Sequence, residues 1–250
     1  MTNADVYAPR RSALDHERAM RLAATEYGRL LDLLRELTPE DWTRRTDCTA
    51  WDVREVAAHN LGMAEMAASP EEQQRQNQEA ARRGGVFIDA LTGLQVEERR
   101  DMSPAEIVDR YAEAGPLAAR GRAAAPVEVR EAPMPGPIEI RGVLEHWTVG
   151  FLLDTILTRD TWMHRIDVAR ATGRDLVLTP DHDGVIVADV VAEWAGRHGG
   201  GCTLTLTGPA GGRWTFGSGG PEFELDAVEF CRTVSRRAKG RGLLDVEVPF

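Results

Sequence analysis

Asp160 and His164 are four residues apart, and Leu153, Leu157 and Val168 extend the same spacing to either side. On an α-helix these five residues share one stripe, with Asp160 and His164 one turn, about 6 Å, apart along the axis. The aliphatic members direct the stripe toward an interior, where an isolated carboxylate is costly unless a cation, a metal or several donors meet it. His59 has the same character, because Val56, His59 and Met63 place an imidazole on another apolar helical stripe. Two imidazoles and one carboxylate suit zinc with an open coordination position, and equally ferrous iron in a facial arrangement. The spacing does not choose between them. It is also compatible with a simple helical charge pair of Asp160 with His164 and a satisfied core histidine at His59.

Other residues offer less. His146 precedes His164 by 18 residues, about 27 Å along a straight helix, too far to share a metal with it. His16, His182 and His198 stand in polar surroundings and read as solvent-facing. Trp42, Trp51 and Trp162 read as core anchors that could also border a pocket. Cys48, Cys202 and Cys231 are far apart, with neither disulfide nor thiolate-zinc spacing, and read as reduced thiols.

The elements that must position the three ligands are mostly helical. Leu22, Leu30, Leu33, Leu34 and Leu37 mark a first long helix within residues 11–37, and a second covers about 50–68. Ser103-Pro104-Ala105-Glu106 combines a cap, a proline at the first helical position and a glutamate that reaches back, opening a third helix that runs to about residue 124. After the Pro133-Met-Pro-Gly-Pro137 break, a fourth is expected over about 141–171, stopped by Gly173. The polar stretch 71–83 is either an exposed helix or a mobile connection. Four helices without intervening strands predict a helical bundle.

Beyond residue 173 the pattern changes. A helix from about 180 ends at Gly199-Gly-Gly201, and Cys202-Thr-Leu-Thr-Leu-Thr207 alternates as a strand. Shorter strands follow at 213–216 and 222–225, and Asp226 with Glu229 opens a last helix to about 238. The fold class expected is therefore mainly α, a bundle over 1–175 followed by a small α+β domain over 176–250.

The balance of 40 acidic against 30 basic residues, a formal charge of −10, disfavours nucleic acid as a partner. No apolar run approaches the roughly 20 residues of a membrane span, and residues 1–6 lack a secretory pattern, so a cytoplasmic protein without membrane association is expected. The sequence sets no oligomeric state.

Two longer motifs carry a family resemblance. Thr46-Asp-Cys-Thr-Ala-Trp51-Asp-Val-Arg-Glu-Val-Ala-Ala-His59 resembles the first signature of the mycothiol-dependent maleylpyruvate isomerase family. Arg159-Asp-Thr-Trp-Met-His164-Arg-Ile-Asp167-Val-Ala-Arg-Ala-Thr-Gly173 resembles its fourth-helix motif. The likeness spans nearly the whole chain and implies a DinB-like four-helix bundle with a small α+β carboxy-terminal domain. It implies a divalent metal, commonly zinc, held by His59, Asp160 and His164, where the family often carries glutamate at the position of Asp160. It also implies mycothiol as thiol cosubstrate and a small electrophile as its target, by isomerisation or S-transfer. Ser235-Arg236-Arg237 resembles the stretch where the family carries an arginine that helps bind or catalyse, which selects Arg237. From the residues alone, a non-catalytic small-molecule binder and an iron enzyme at the same site stay open.

Overall fold

The structure is a computed structural model that describes residues 8–250; the leader reading of residues 1–6 lies outside the described residues. In chain order the elements are α1 (His16–Arg35), a 3-10 turn (Asp41–Thr43), α2 (Val53–Ala68), α3 (Pro70–Arg83), α4 (Phe87–Glu98), α5 (Pro104–Ala123) and α6 (Val127–Glu131). Then come β1 (Ile138–Ile140), β2 (Val143–Glu145), α7 (Val149–Phe151), a π-helical turn (Leu152–Ile156), α8 (Leu157–Thr172) and α9 (Asp183–His198). Strands β3 (Cys202–Thr207), β4 (Gly212–Phe216) and β5 (Glu222–Asp226) precede α10 (Ala227–Val234) and a 3-10 turn (Gly242–Asp245). No helix among the described residues is long and apolar enough to cross a membrane.

The chain divides into two compact units. A helical unit takes Asp15–Arg130 and Leu153–Asp175, and an α+β unit takes residues 8–14, Glu131–Leu152 and Leu176–Phe250. The chain thus leaves the helical unit at 131 and returns at 153, which a single cut at 175/176 does not describe. Part of the reason is that residues 138–145 are not helical. Ile138-Glu-Ile140 and Val143-Leu-Glu145 pair as an antiparallel hairpin, and Arg141 and Gly142, both with positive φ, form its two-residue turn. The expected helix over 141–171 is therefore only α7, the π turn and α8, and His146 sits off it, between β2 and α7.

In the helical unit, α1, α2, α5 and α8 form the bundle. Side-chain caps start three of them: Asp15 takes the Arg18 amide, and Asp52 with Glu55 and Ser103 with Glu106 make complete capping boxes. Helix α5 packs on α1 and α2, and α8 on α1 and α2. From Leu157 to Ala169, every side chain of α8 except Asp160 is buried, so α8 is the centre of the bundle. Polar ties cross this core as well: Arg165 donates to Glu26 of α1 at 2.5 Å, and Arg122 of α5 donates to Tyr27, Thr158 and the Leu153 carbonyl. The stretch 71–83 is helix α3, and α4, which the sequence did not announce, packs on both α3 and α2.

In the α+β unit the three-stranded sheet has the order β4-β3-β5. Strand β3 is antiparallel to β4, with Cys202 opposite Phe216, and parallel to β5, with Thr203 opposite Glu222. Its alternation buries Cys202, Leu204 and Leu206. Trp194 of α9 packs against Phe216, Phe223 and Phe230. Helix α9 begins at Asp183, whose carboxylate accepts from the Thr179 amide at 2.6 Å and holds 179–183 as a turn. Helix α10 ends at Val234, short of the expected 238, because Arg236 adopts φ +71.

Candidate metal centre

The capping box at Asp52 sets the phase of α2, and His59 follows on the side of that helix that packs against α8. On α8, Asp160 and His164 share a face as their spacing predicts. The three converge: His59 Nε2 lies 3.3 Å from Asp160 Oδ2, and His164 Nε2 lies 3.4 Å from Asp160 Oδ1. One ligand atom from each lies within 4.8 Å of the others. For a tetrahedral ion with bonds of about 2.05 Å the edge between two donors is about 3.3 Å, so the observed separations could accommodate an ion as well as simple His–Asp pairs.

The far sides of both rings are engaged. His59 Nδ1 lies 2.8 Å from Gln95 Oε1, and His164 Nδ1 lies 3.0 Å from Asp167 Oδ2. Both rings therefore present Nε2 to the centre. An outer acceptor that fixes the ring and its tautomer is the usual companion of a metal-ligating histidine. His59 and His164 are 3% and 4% exposed, whereas the Asp160 side chain keeps 22%, so the centre is accessible along the carboxylate. Trp51 lies over both imidazoles, with ring centroids 5.0 Å from His59 and 5.9 Å from His164.

The electrostatics follow from this packing. Burial by itself would raise the Asp160 carboxyl, but the charges and hydrogen bonds of His164 and His59 hold it well below the usual carboxylate range. Burial would lower His164, yet Asp160, and then Asp167, push it up to about 9. With its own carboxyl held down, Asp160 keeps the proton on His164. The donor set, its spacing and its outer partners fit a divalent ion of borderline softness such as zinc.

Of the sequence-predicted site residues, His59, Asp160 and His164 are together. Arg237 belongs to the α+β unit; it follows α10 rather than lying on it, and its amide donates to the Arg232 carbonyl at 2.8 Å. Leu153 is off the expected stripe and only half-buried, because the π turn inserts a residue between it and Leu157. Two histidines depart from the solvent-facing expectation: His182 is 5% exposed, and His16 bonds Asp154 at 2.9 Å. His198 is half-buried against Trp194. Trp42 and Trp162 are core anchors, while Trp51 borders the centre. Sequence reasoning gave no role to Asp167 or Gln95. Asp167, three residues after His164 on the same helix, was findable as an i, i+3 partner; Gln95 lies in a helix that carried no ligand signal.

The family model described as the Mycothiol maleylpyruvate isomerase N-terminal domain matches residues 23–169. The chain belongs to this family. The span matched to the maleylpyruvate isomerase family contains all three residues of the centre and ends before Arg237. Among solved structures, the crystal structure of the mycothiol-dependent maleylpyruvate isomerase is similar, at 15% identity and a TM-score of 0.58. A histidine-to-alanine mutant of that enzyme is similar at 13% identity and a TM-score of 0.54. Each alignment covers 90% of this chain and 90% of that one. These likenesses show that the chain has the maleylpyruvate isomerase fold, a mainly helical protein with small sheets. No curated protein matches the sequence.

Proposed function

We propose that this member of the family is a metal-dependent enzyme in which His59, Asp160 and His164 hold a divalent cation, zinc by their chemistry. A low-molecular-weight thiol, mycothiol by family, attacks a small electrophile there, with isomerisation or S-transfer as the outcome. The observation that carries this reading is the orientation of the two rings: both Nε2 atoms face one carboxylate while both Nδ1 atoms are engaged behind them. A bound divalent ion with an open position favours the thiolate form of a thiol near neutral pH and supplies Lewis acidity to a nearby carbonyl.

The chain's own residues supply the rest. Asp160 contributes the one negative charge among the three ligands and lies on the accessible edge, so substrates approach beside it. Trp51 covers both imidazoles and restricts water there. Asp167 and Gln95 fix the rings so that neither has to reorient when the site loads. For Arg237 the support is the motif Ser235-Arg236-Arg237, and an Arg237→Ala protein is expected to lose activity while keeping its metal.

The test is elemental analysis of protein purified without added metal, beside the His59→Ala variant, with assays of mycothiol and electrophile. One zinc per chain in the parent, a sharp fall in the variant and turnover of the thiol are expected. Equal metal in both proteins would remove His59 from the ligand set. Iron in the parent would replace zinc in the reading, and a metal-loaded protein without turnover would make it a binder.

A further inference from the structure

The Nδ1 side of His59 leads into a chain of buried amides. Gln95 and Gln76 both have no exposure. Gln95 Nε2 donates to Gln76 Oε1 at 2.8 Å and to Met63 Sδ at 3.0 Å. Gln76 Nε2 donates to Glu72 Oε1 at 2.9 Å and to the Gly62 carbonyl at 3.2 Å. Glu72 is clasped in turn by Arg75, 2.8 and 2.7 Å from its two oxygens, and lines a surface cavity of about 570 Å³ that contains none of the three ligands.

The direction of every bond in this chain follows from its outer end. A main-chain carbonyl accepts only, and so does the Glu72 carboxylate, which Arg75 holds below its ordinary range although burial opposes this. The Gln76 atom facing both acceptors is therefore its NH2 group, with both hydrogens used. Its oxygen faces Gln95, which must present its own NH2 there, and the two hydrogens of that group go to Gln76 and Met63. The Gln95 oxygen is then the atom left for His59, so Nδ1 carries the hydrogen and Nε2 keeps its lone pair for the centre.

We infer that Gln95 and Gln76 are positioning residues that fix the tautomer of His59 by a hydrogen-bond chain running from Glu72, and that Gly62 is the space that lets the chain form. A Cβ at Gly62 would lie 2.6 Å from Gln95 Cγ and 2.7 Å from Gln95 Cβ, so any larger residue displaces the amide that holds the imidazole. The inference rests on the reading of His59 as a metal ligand, and it adds three residues from α2, α3 and α4 to the machinery of that site.

The test uses zinc alone on the full-length, metal-free protein. Zinc affinity is measured by competition with a chromophoric chelator, and the His59 ring nitrogens are followed by NMR of the zinc-loaded, 15N-histidine-labelled protein. In the parent, zinc is expected on His59 Nε2 and a slowly exchanging proton on Nδ1. Gln95→Leu is expected to weaken zinc binding about ten- to a hundredfold and to open the Nδ1 proton to solvent exchange, leaving that of His164 protected. Gly62→Ala, which favours the helix itself, is expected to weaken zinc in the same way, and this keeps the inference testable if Gln95→Leu folds poorly. Zinc affinity within twofold of the parent in Gly62→Ala, with an unchanged Nδ1 proton, would overturn the inference while leaving the ligand set intact. A parent protein that binds no zinc would overturn the ligand set, and the inference with it.

Discussion

The two imidazoles of the centre look alike from the metal side and differ behind it. His164 leans on Asp167, a carboxylate with no exposure three residues along its own helix. His59 leans on Gln95, an amide brought from a helix 36 residues further along the chain. A carboxylate acts through charge: it makes the ring more basic, and with Asp160 it helps to raise His164 to about 9. An amide acts through direction, because it adds no charge but allows one arrangement of hydrogens. The pair teaches that orientation and basicity can be supplied separately to two imidazoles of one site. With one backing carboxylate, Asp167, instead of two, the centre also carries less negative charge than a pair of carboxylate-backed histidines would.

The largest effect should come from the residue that both rings share. Asp160→Ala is expected to weaken zinc roughly a thousandfold, about a third of a typical structural zinc-binding free energy, and Asp160→Glu should recover much of it. Metal binding unchanged in Asp160→Ala would reduce the trio to a helical charge pair and end the comparison. Next comes Asp167→Asn, which keeps a hydrogen-bond acceptor and removes the charge. Its expected loss, about a hundredfold, is at the upper end for an outer partner of a metal ligand, and a loss no greater than that of Gln95→Leu would show that charge adds nothing to direction.

The pH dependence should separate the two supports further. Zinc replaces a proton at His164, so affinity should rise about tenfold per pH unit and level off near pH 9. In Asp167→Asn the plateau should arrive at lower pH, whereas in Gln95→Leu it should stay. The metal-free protein responds in the opposite direction on the stability side. A raised histidine stabilises the fold fully below its ordinary value of 6.5, and that contribution is lost as pH rises through about 9. The melting temperature of the metal-free parent should therefore fall over that window, and Asp167→Asn should flatten the fall.

The smallest effect on zinc should come from a carboxylate at a distance from the centre. Arg174, just after α8, donates to Asp41 at 2.8 Å and, with the Thr38 amide, holds its carboxyl down at about 2. A depressed carboxyl stabilises the fold above its ordinary value, and the contribution disappears as pH falls through about 2. Arg174→Ala should narrow the acid limit of stability while leaving zinc affinity unchanged. A change in zinc affinity there would mean that charge even beyond the end of α8 is felt at the centre, and the contrast between Asp167 and Gln95 would lose its meaning.

The convergence of His59, Asp160 and His164 was legible because helix periodicity converts spacing into direction, and because the motifs around His59 and Asp160 are long. The bundle helices and strand β3 were legible from caps and alternation. What escaped depended on features that periodicity does not encode. The β1–β2 hairpin hid in two triplets, of which only Ile138-Glu-Ile140 alternates, on either side of Arg141-Gly142. Helix α4 was missed between polar neighbours, and with it Gln95, since a glutamine has no pattern that distinguishes a solvated side chain from one buried against an imidazole. Gly62 carried no signal in the sequence; only the approach of α4 to α2 shows why no side chain fits there.

The two amides behind His59 also decide what can travel to the centre. A carboxamide neither gains nor loses a proton in the physiological range, and the fixed polarity of this chain leaves no donor free to reverse. The path from Glu72 to His59 therefore transmits orientation while blocking proton conduction. Asp167 offers no exit to solvent either, having no exposed surface. Among the described residues of the centre, Asp160 has the most exposed side chain, so protons that enter or leave the imidazole pair pass most directly beside it.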